Sequence, residues 1–389
     1  MSWPIALTFD QAHHQSLATG TAGIAIRHIE RALTGRGCWA DAHTHIQQVA
    51  AGPVDGGDHT GLFYGAPALA FLLSLTDADG QQRYAEPLAA LDHHVTLLTH
   101  RRVVTALRRI ETGEHARFAE YDLFHGLTGI GALLLARRPA SDTFAEILGY
   151  LTRLTRPRRQ EEDELPGWWV PHDPDPTLPT PGGHANFGMA HGAAGILALL
   201  ALAARGGHLV DQQYDAIHWL MNWFDRWRQE SPDGPWWPQW ITRSDLRVGR
   251  LTQRAPGRPS WCYGSIGIAR ALQLAALAVG DLARQRTAEQ ALLASLTDRS
   301  LARLTESGIC HGLAGLYQTT YRAAHDSTDP ALLHRLPALA ALAAALISNS
   351  THSEAPGLLT GRAGTDLVLE TARSGASPQT GWDRCLLIC

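Results

Sequence analysis

Trp261-Cys262-Tyr263-Gly264-Ser265-Ile266-Gly267 places a glycine, two residues and a second glycine at the head of a helix-like apolar run, and the unit decides the fold because it recurs. Seven copies start at Gly20, Gly65, Gly126, Gly192, Gly264, Gly312 and Gly361, at spacings of 45 to 72 residues. The copy at Gly65 keeps only its first glycine. Self-similarity at such spacings is the mark of a repeat architecture, and each spacing has room for two helices and a loop.

The runs behind the glycines, such as Ile130 to Ala136 and Ile196 to Ala203, are rich in Ala and Leu, which are good helix formers. They are apolar nearly all round, so they are expected to be buried helices. The glycines then sit at helix N-termini, where a missing side chain permits tight turns. Leu88 to Leu107 and Pro330 to Ile347 are more amphipathic and would form an outer layer. The expected fold is therefore all-α: an α/α toroid of seven inner and seven outer helices. The loops that open the inner helices would converge at one end of the ring, the end at which any site built from them would lie. We read residues 1–389 as one domain, with room for a small insertion within 75–115 and a loop or lid at 156–188. In that last stretch a charged run, Arg156 to Glu164, precedes a Pro/Gly-rich segment, Leu165 to Gly183. It reads as a long surface loop, either a lid at the site mouth or a tolerated insertion. Trp236, Trp237 and Trp240, with Ile241 and Thr242, read as a short extended piece. Wedging between helices is favoured for these indoles over lining a peptide groove.

Bulk composition excludes several classes. The 389 residues carry a net charge of -4 with no basic stripe, so nucleic acid is not an expected partner. Arg, Asp or Gly interrupts every apolar run before it reaches membrane-spanning length. Met1-Ser2-Trp3-Pro4 lacks a charged segment followed by an apolar one, so the expected location is cytoplasmic, at most peripheral to a membrane-associated assembly. The five cysteines, Cys38, Cys262, Cys310, Cys385 and Cys389, are an odd number in a long chain and not a disulfide framework. All 33 basic residues are arginine, which excludes lysine Schiff-base chemistry and a P-loop lysine.

Phase within the repeat singles out the chemistry. Cys262 and Cys310 each lie two residues before their glycine, and His311 lies one before. Two thiolates and an imidazole are the ligand set of a catalytic zinc site with one open position. Two buried structural cysteines and a capping histidine are the alternative. His191 and His125 share the phase of His311, and Asp122 lies four before Gly126. A histidine titrates near neutrality and can move a proton; an aspartate beside it can orient the ring or hold a proton. A cavity-lining histidine and a helix N-cap aspartate are the plainer readings. Arg258 either stabilises developing negative charge or pairs with a structural carboxylate. Cys385 and Cys389 are out of phase and read as packing or surface residues; His13, His14 and His43 read as surface groups.

Together, Trp261-Cys262-Tyr263-Gly264, Cys310-His311-Gly312, Ala190-His191-Gly192, Tyr121-Asp122-Leu123 and the ending Trp382-Asp383-Arg384-Cys385-Leu386-Leu387 resemble the lanthionine synthetase C family, the lanthipeptide cyclases, over essentially the whole chain. The family's α/α toroid agrees with the seven repeats. The resemblance implies one Zn2+ per chain on Cys262, Cys310 and His311. It implies His191 and Asp122 as acid/base residues, and Arg258 and Tyr263 in the pocket. His125, singled out by its phase alone, either contacts substrate or enolate or merely lines the cavity. It implies zinc-activated addition of precursor-peptide cysteine thiols to dehydroalanine or dehydrobutyrine, forming thioether rings. The expected substrate is a dehydrated precursor peptide, and a dehydratase and a transporter are implied partners. With no dehydratase or kinase portion ahead of the toroid, the chain looks like a stand-alone class I cyclase. Ser260 stands where the family often has a polar or acidic residue, and the β-rich insertion after Gly65 looks reduced. The alternatives are a protein prenyltransferase-like thiol alkylator and a non-catalytic zinc-containing thiol or peptide binder.

Overall fold

A computed structural model describes residues 7–160, 162–175, 177–349 and 356–389, so the reading of Met1-Ser2-Trp3-Pro4 lies outside the described residues. Each of the seven repeat glycines is the N-cap of a helix: Thr21–Leu33, Ala66–Leu75, Leu127–Arg137, Ala193–Arg205, Ser265–Val279, Leu313–Asp326 and Arg362–Ser374. These pack side by side in chain order, and Arg362–Ser374 returns to Thr21–Leu33 to close the ring. Ala193–Arg205 is buried from Ala193 to Ala204, as its lack of a polar face requires.

The second layer holds Trp39–Val49, Ala85–Thr112, Asp142–Leu154, Gln213–Trp227, Leu282–Ala294 and Ala331–Asn349. The short helix Phe9–His14 packs on Thr21–Leu33 and Trp39–Val49. Residues 75–115 hold a turn and the long helix Ala85–Thr112, with no strand among the described residues. No helix among the described residues is long and apolar enough to cross a membrane.

The glycine pair has a steric cause. A Cβ on Gly264 would lie 2.1 Å from the Ser260 nitrogen, and one on Gly267 would lie 2.0 Å from the Trp261 carbonyl oxygen. The loop that enters each helix folds back across its first turn, and only a residue without a side chain lets the two backbones approach so closely.

These entering loops are tied into a belt. The Ala190 N–H donates to the Cys262 carbonyl (3.1 Å), Cys262 to Cys310 (3.2 Å), Cys310 to Leu359 (2.9 Å) and Leu359 to Ala18 (2.9 Å). Leu17 donates to Phe63 (3.0 Å) and Leu123 to Ala190 (3.0 Å). The remaining junction is a stack of Phe63 on Phe124, with centroids 4.7 Å apart. The residue just ahead of each glycine (Thr19, Tyr64, His125, His191, Tyr263, His311 and Thr360) is partly or fully exposed, although its neighbours are mostly buried.

The segment read as a long loop is more ordered than its composition suggests. Arg158–Gln160 pairs antiparallel with Asp163–Leu165, and His184–Asn186 pairs with Trp240–Thr242. Trp168 and Trp169 are buried, which anchors the stretch to the core. Trp236 and Trp237 are also buried and Trp240 is half-buried, in line with wedging.

After Arg362–Ser374 the chain turns inward. Trp382–Leu386 forms a 3-10 turn against the inner helix Leu127–Arg137. Buried Asp383 accepts two hydrogen bonds from Arg322, both 2.7 Å, and one from Gln318 at 2.6 Å. Buried Arg270 donates to the Ile388 carbonyl at 2.9 and 2.8 Å and pairs with Asp326 at 2.6 Å. The Trp261 indole N–H donates to the Leu386 carbonyl at 3.1 Å, so the tail lies directly under the loop that carries Cys262. Cys385 is buried there and Cys389 half-buried.

Candidate metal centre and acid–base site

The belt explains why phase in sequence becomes proximity in space. The bond from Cys262 N–H to the Cys310 carbonyl brings two loops to one level. The ligand atoms of Cys262, Cys310 and His311 then fall within 4.8 Å of one another. His311 Nδ1 faces the Cys262 sulfur at 3.8 Å, and Ser260 Oγ approaches the same sulfur at 3.7 Å. His311 Nε2 points the other way, to Glu306 Oε2 at 3.2 Å. The second oxygen of Glu306 accepts from Arg258 Nη1 at 3.1 Å.

The donor set fits a soft-ligand divalent metal. Two sulfurs and one imidazole nitrogen converge, the imidazole is presented through a defined atom, and three protein ligands leave a fourth position free. A hydrogen bond from Cys310 holds the Cys262 thiol well below its usual range despite burial, with help from His311 and Ser260. The same bond and burial push Cys310 up. The Cys262 thiolate raises His311, while burial opposes it.

The Asp122–His191 pair sits one loop further round. His191 Nδ1 lies 2.6 Å from Asp122 Oδ2. Asp122 Oδ1 accepts from the backbone N–H of His125 at 2.7 Å and of Gly126 at 2.8 Å. The carboxylate is therefore both a cap on its own loop and a partner for His191. Burial pushes the Asp122 carboxyl up, but the hydrogen bonds from His125 and His191 outweigh it and leave it below the usual 3.8. The His191 ring is stacked between Phe118 (5.2 Å) and Phe124 (5.1 Å) and lies 5.6 Å from the Tyr263 ring. With Nδ1 committed to Asp122, Nε2 is the atom of His191 left to meet a ligand.

Four consecutive loops thus carry all eight residues singled out from the sequence. Asp122 and His125 come from the first, His191 from the second, Arg258, Cys262 and Tyr263 from the third, Cys310 and His311 from the fourth. His125 is largely exposed, 3.9 Å from Asp122 Oδ2, and that carboxylate raises its pKa. Arg258 is engaged with Glu306.

Sequence reasoning passed over Glu306, Phe118 and Phe124. Glu306 lies six residues before its glycine, the phase that Arg258 holds on the preceding loop, so that phase was the signal that could have found it; Phe118 lies eight before, a phase that no other site residue marks. Phe118 also meets His172 at 4.6 Å and His184 at 5.5 Å, so His172 and His184 reach His191 through this ring.

Residues 11–387 match a family model described as lanthionine synthetase C-like protein. Nisin biosynthesis protein NisC of Lactococcus lactis subsp. lactis is 26% identical over 206 residues, covering 51% of this chain and 48% of that protein. The match therefore spans about half the length of this curated relative. Among solved structures, nisin cyclase superposes with a TM-score of 0.82 at 20% identity, covering 97% of this chain and 92% of that one; the toroid is shared.

Proposed function

This chain belongs to the lanthionine synthetase C-like family, and on that premise we propose that it is a lanthipeptide cyclase. It would add cysteine thiols of a dehydrated precursor peptide to dehydroalanine or dehydrobutyrine, forming lanthionine and methyllanthionine rings. The observation that carries this reading is the adjacency of two groups on neighbouring loops: the Cys262–Cys310–His311 ligand set and the Asp122–His191 pair.

Zn2+, held by Cys262, Cys310 and His311, would lower the pKa of a substrate thiol at the open position. The C–S bond forms at the β-carbon, the thiol proton is lost, and the α-carbon gains a proton. Atoms balance within the peptide, so the reaction is an isomerisation and needs no redox or organic cofactor. His191 Nε2 delivers or accepts the proton, because Nδ1 is committed to Asp122. Asp122 is buried behind the ring and acts by fixing its tautomer. Arg258 and Tyr263 stand on the Cys262 loop, where a guanidinium and a phenol can stabilise an enolate oxygen, with His125 at the mouth. The segment 156–188 borders the site, with His172 and His184 against Phe118 and Phe118 against His191. A dehydratase and a transporter are the partners this activity calls for, in the cytoplasm.

The test is thiol consumption on a dehydrated, reduced precursor peptide with zinc-loaded protein. Ring formation leaves the peptide mass unchanged and removes its reactivity toward an alkylating agent. Binding of the peptide with every thiol still alkylatable would instead establish a zinc-containing peptide binder.

A further inference from the structure

We infer that Glu306 is a positioning residue for the metal centre, a carboxylate that fixes His311 as an Nδ1 ligand and ties it to Arg258. The inference rests on the metal reading above. Its geometric ground is that one carboxylate uses its two oxygens for two separate tasks. Oε2 meets His311 Nε2 at 3.2 Å, and Oε1 meets Arg258 Nη1 at 3.1 Å. A neutral imidazole has one N–H and one lone pair. If the Nε2 proton goes to Glu306, the lone pair is on Nδ1, the atom that faces the Cys262 sulfur at 3.8 Å.

A carboxylate behind a ligating imidazole sets ring orientation and raises ligand basicity. Arg258 in turn holds Glu306 aimed, so one chain of contacts runs from Arg258 on the loop before Cys262 to the histidine on the next loop. This gives the arginine a task in the site besides any contact with substrate. Glu306 and Arg258 are 49% and 47% exposed, so the ion pair adds little to fold stability and its loss should leave the fold intact. The effect of Glu306 is therefore separable: it should appear in metal binding before it appears in unfolding.

The experiment measures zinc affinity of metal-stripped protein by competition with a chromophoric chelator, with urea unfolding of the same stripped samples as the fold control. Wild type, Glu306→Gln and Glu306→Ala are compared. Glu306→Ala is expected to bind zinc about 10- to 100-fold more weakly at unchanged unfolding midpoint. Glu306→Gln, which can still accept the Nε2 proton but lacks the charge, should fall between. Cobalt(II) in place of zinc should show a shifted visible spectrum in Glu306→Ala, a change that a distant structural role would not produce. Equal zinc affinity and equal cobalt spectra in wild type and Glu306→Ala would overturn the assignment. A wild type that binds no zinc would overturn the metal reading itself, a different outcome in the same titration.

Discussion

The amide of Cys262 donates to the carbonyl of Cys310 across 3.2 Å, and this backbone bond holds the two loops that carry the sulfurs at one level. It is one link of the belt that joins the helix-opening loops, so the ligand set is positioned by main chain and not by side-chain packing alone. Substitutions of the sulfurs should therefore remove the metal without opening the ring.

Cys262→Ala and Cys310→Ala are expected to fold and to lose zinc. Wild type should carry about one zinc per chain and either variant close to none, since three protein ligands are the usual minimum for a catalytic site. Metal analysis after gel filtration, with circular dichroism as the fold control, checks this. Full zinc in both variants would place the metal elsewhere.

Asp122→Asn should slow ring formation by about 10² to 10⁴-fold, because an amide opposite His191 Nδ1 can impose the wrong tautomer. Peptide binding should change little, so kcat falls while KM holds. The same carboxylate contributes to stability. Its folded pKa lies below the usual 3.8, so that contribution is complete above the unfolded value and is lost as pH falls through the folded one. Urea unfolding from pH 6 downward should show the gap between wild type and Asp122→Asn closing only on the acid side of 3.8. A gap constant with pH would contradict this.

His184 gives a prediction of the same sign at higher pH. It is fully buried and donates Nδ1–H to the His172 carbonyl at 2.9 Å, and burial lowers its pKa to about 4. The folded protein keeps it neutral, while the unfolded chain protonates it below about 6.5. Its contribution is therefore complete above that value and declines as pH falls toward 4, by up to about 3 kcal/mol. His184→Gln should flatten the fall in the urea midpoint between pH 7 and 4.5. An unchanged slope would mean that His184 is protonated in the folded state.

Asp383→Ala removes the shared acceptor of Arg322 and Gln318 and leaves a guanidinium facing a void. A cost of about 3 to 5 kcal/mol is expected, as for other broken buried ion pairs. Urea unfolding of the stripped protein measures it. A double-mutant cycle with Arg322→Met should recover part of the loss, because the second change removes the orphaned charge.

The inner layer was legible because its rule is local. A glycine pair followed by a run apolar on every side specifies a buried helix entered by a tight loop, and phase carried the eight site residues to one level. One residue in phase was still not read: Glu306 stands six residues before its glycine, as Arg258 does, but a lone carboxylate there reads as an ordinary surface group until its contact with His311 is seen. The hairpin of Arg158–Gln160 and Asp163–Leu165 is too short for a period to show, and its surroundings read as loop because of their prolines and glycines. The inward turn of the tail depends on Arg270, more than a hundred residues away, so Cys385 and Cys389 could be placed only as packing or surface residues.

Ring closure also orders events in time. The bonds that fasten the two arms of the toroid include Glu30 with the backbone of Thr380, 350 residues apart, whereas Cys262 and His311 are separated by 49. Bringing the distant pair together costs about 1.7 kcal/mol more chain entropy than the near pair, before any contact offsets it. An arc of neighbouring repeats can therefore assemble the thiol–imidazole cluster while the hoop is still open. Metal present during folding would then capture a partly formed arc and shorten the search that remains, so refolding should be faster with zinc than without it.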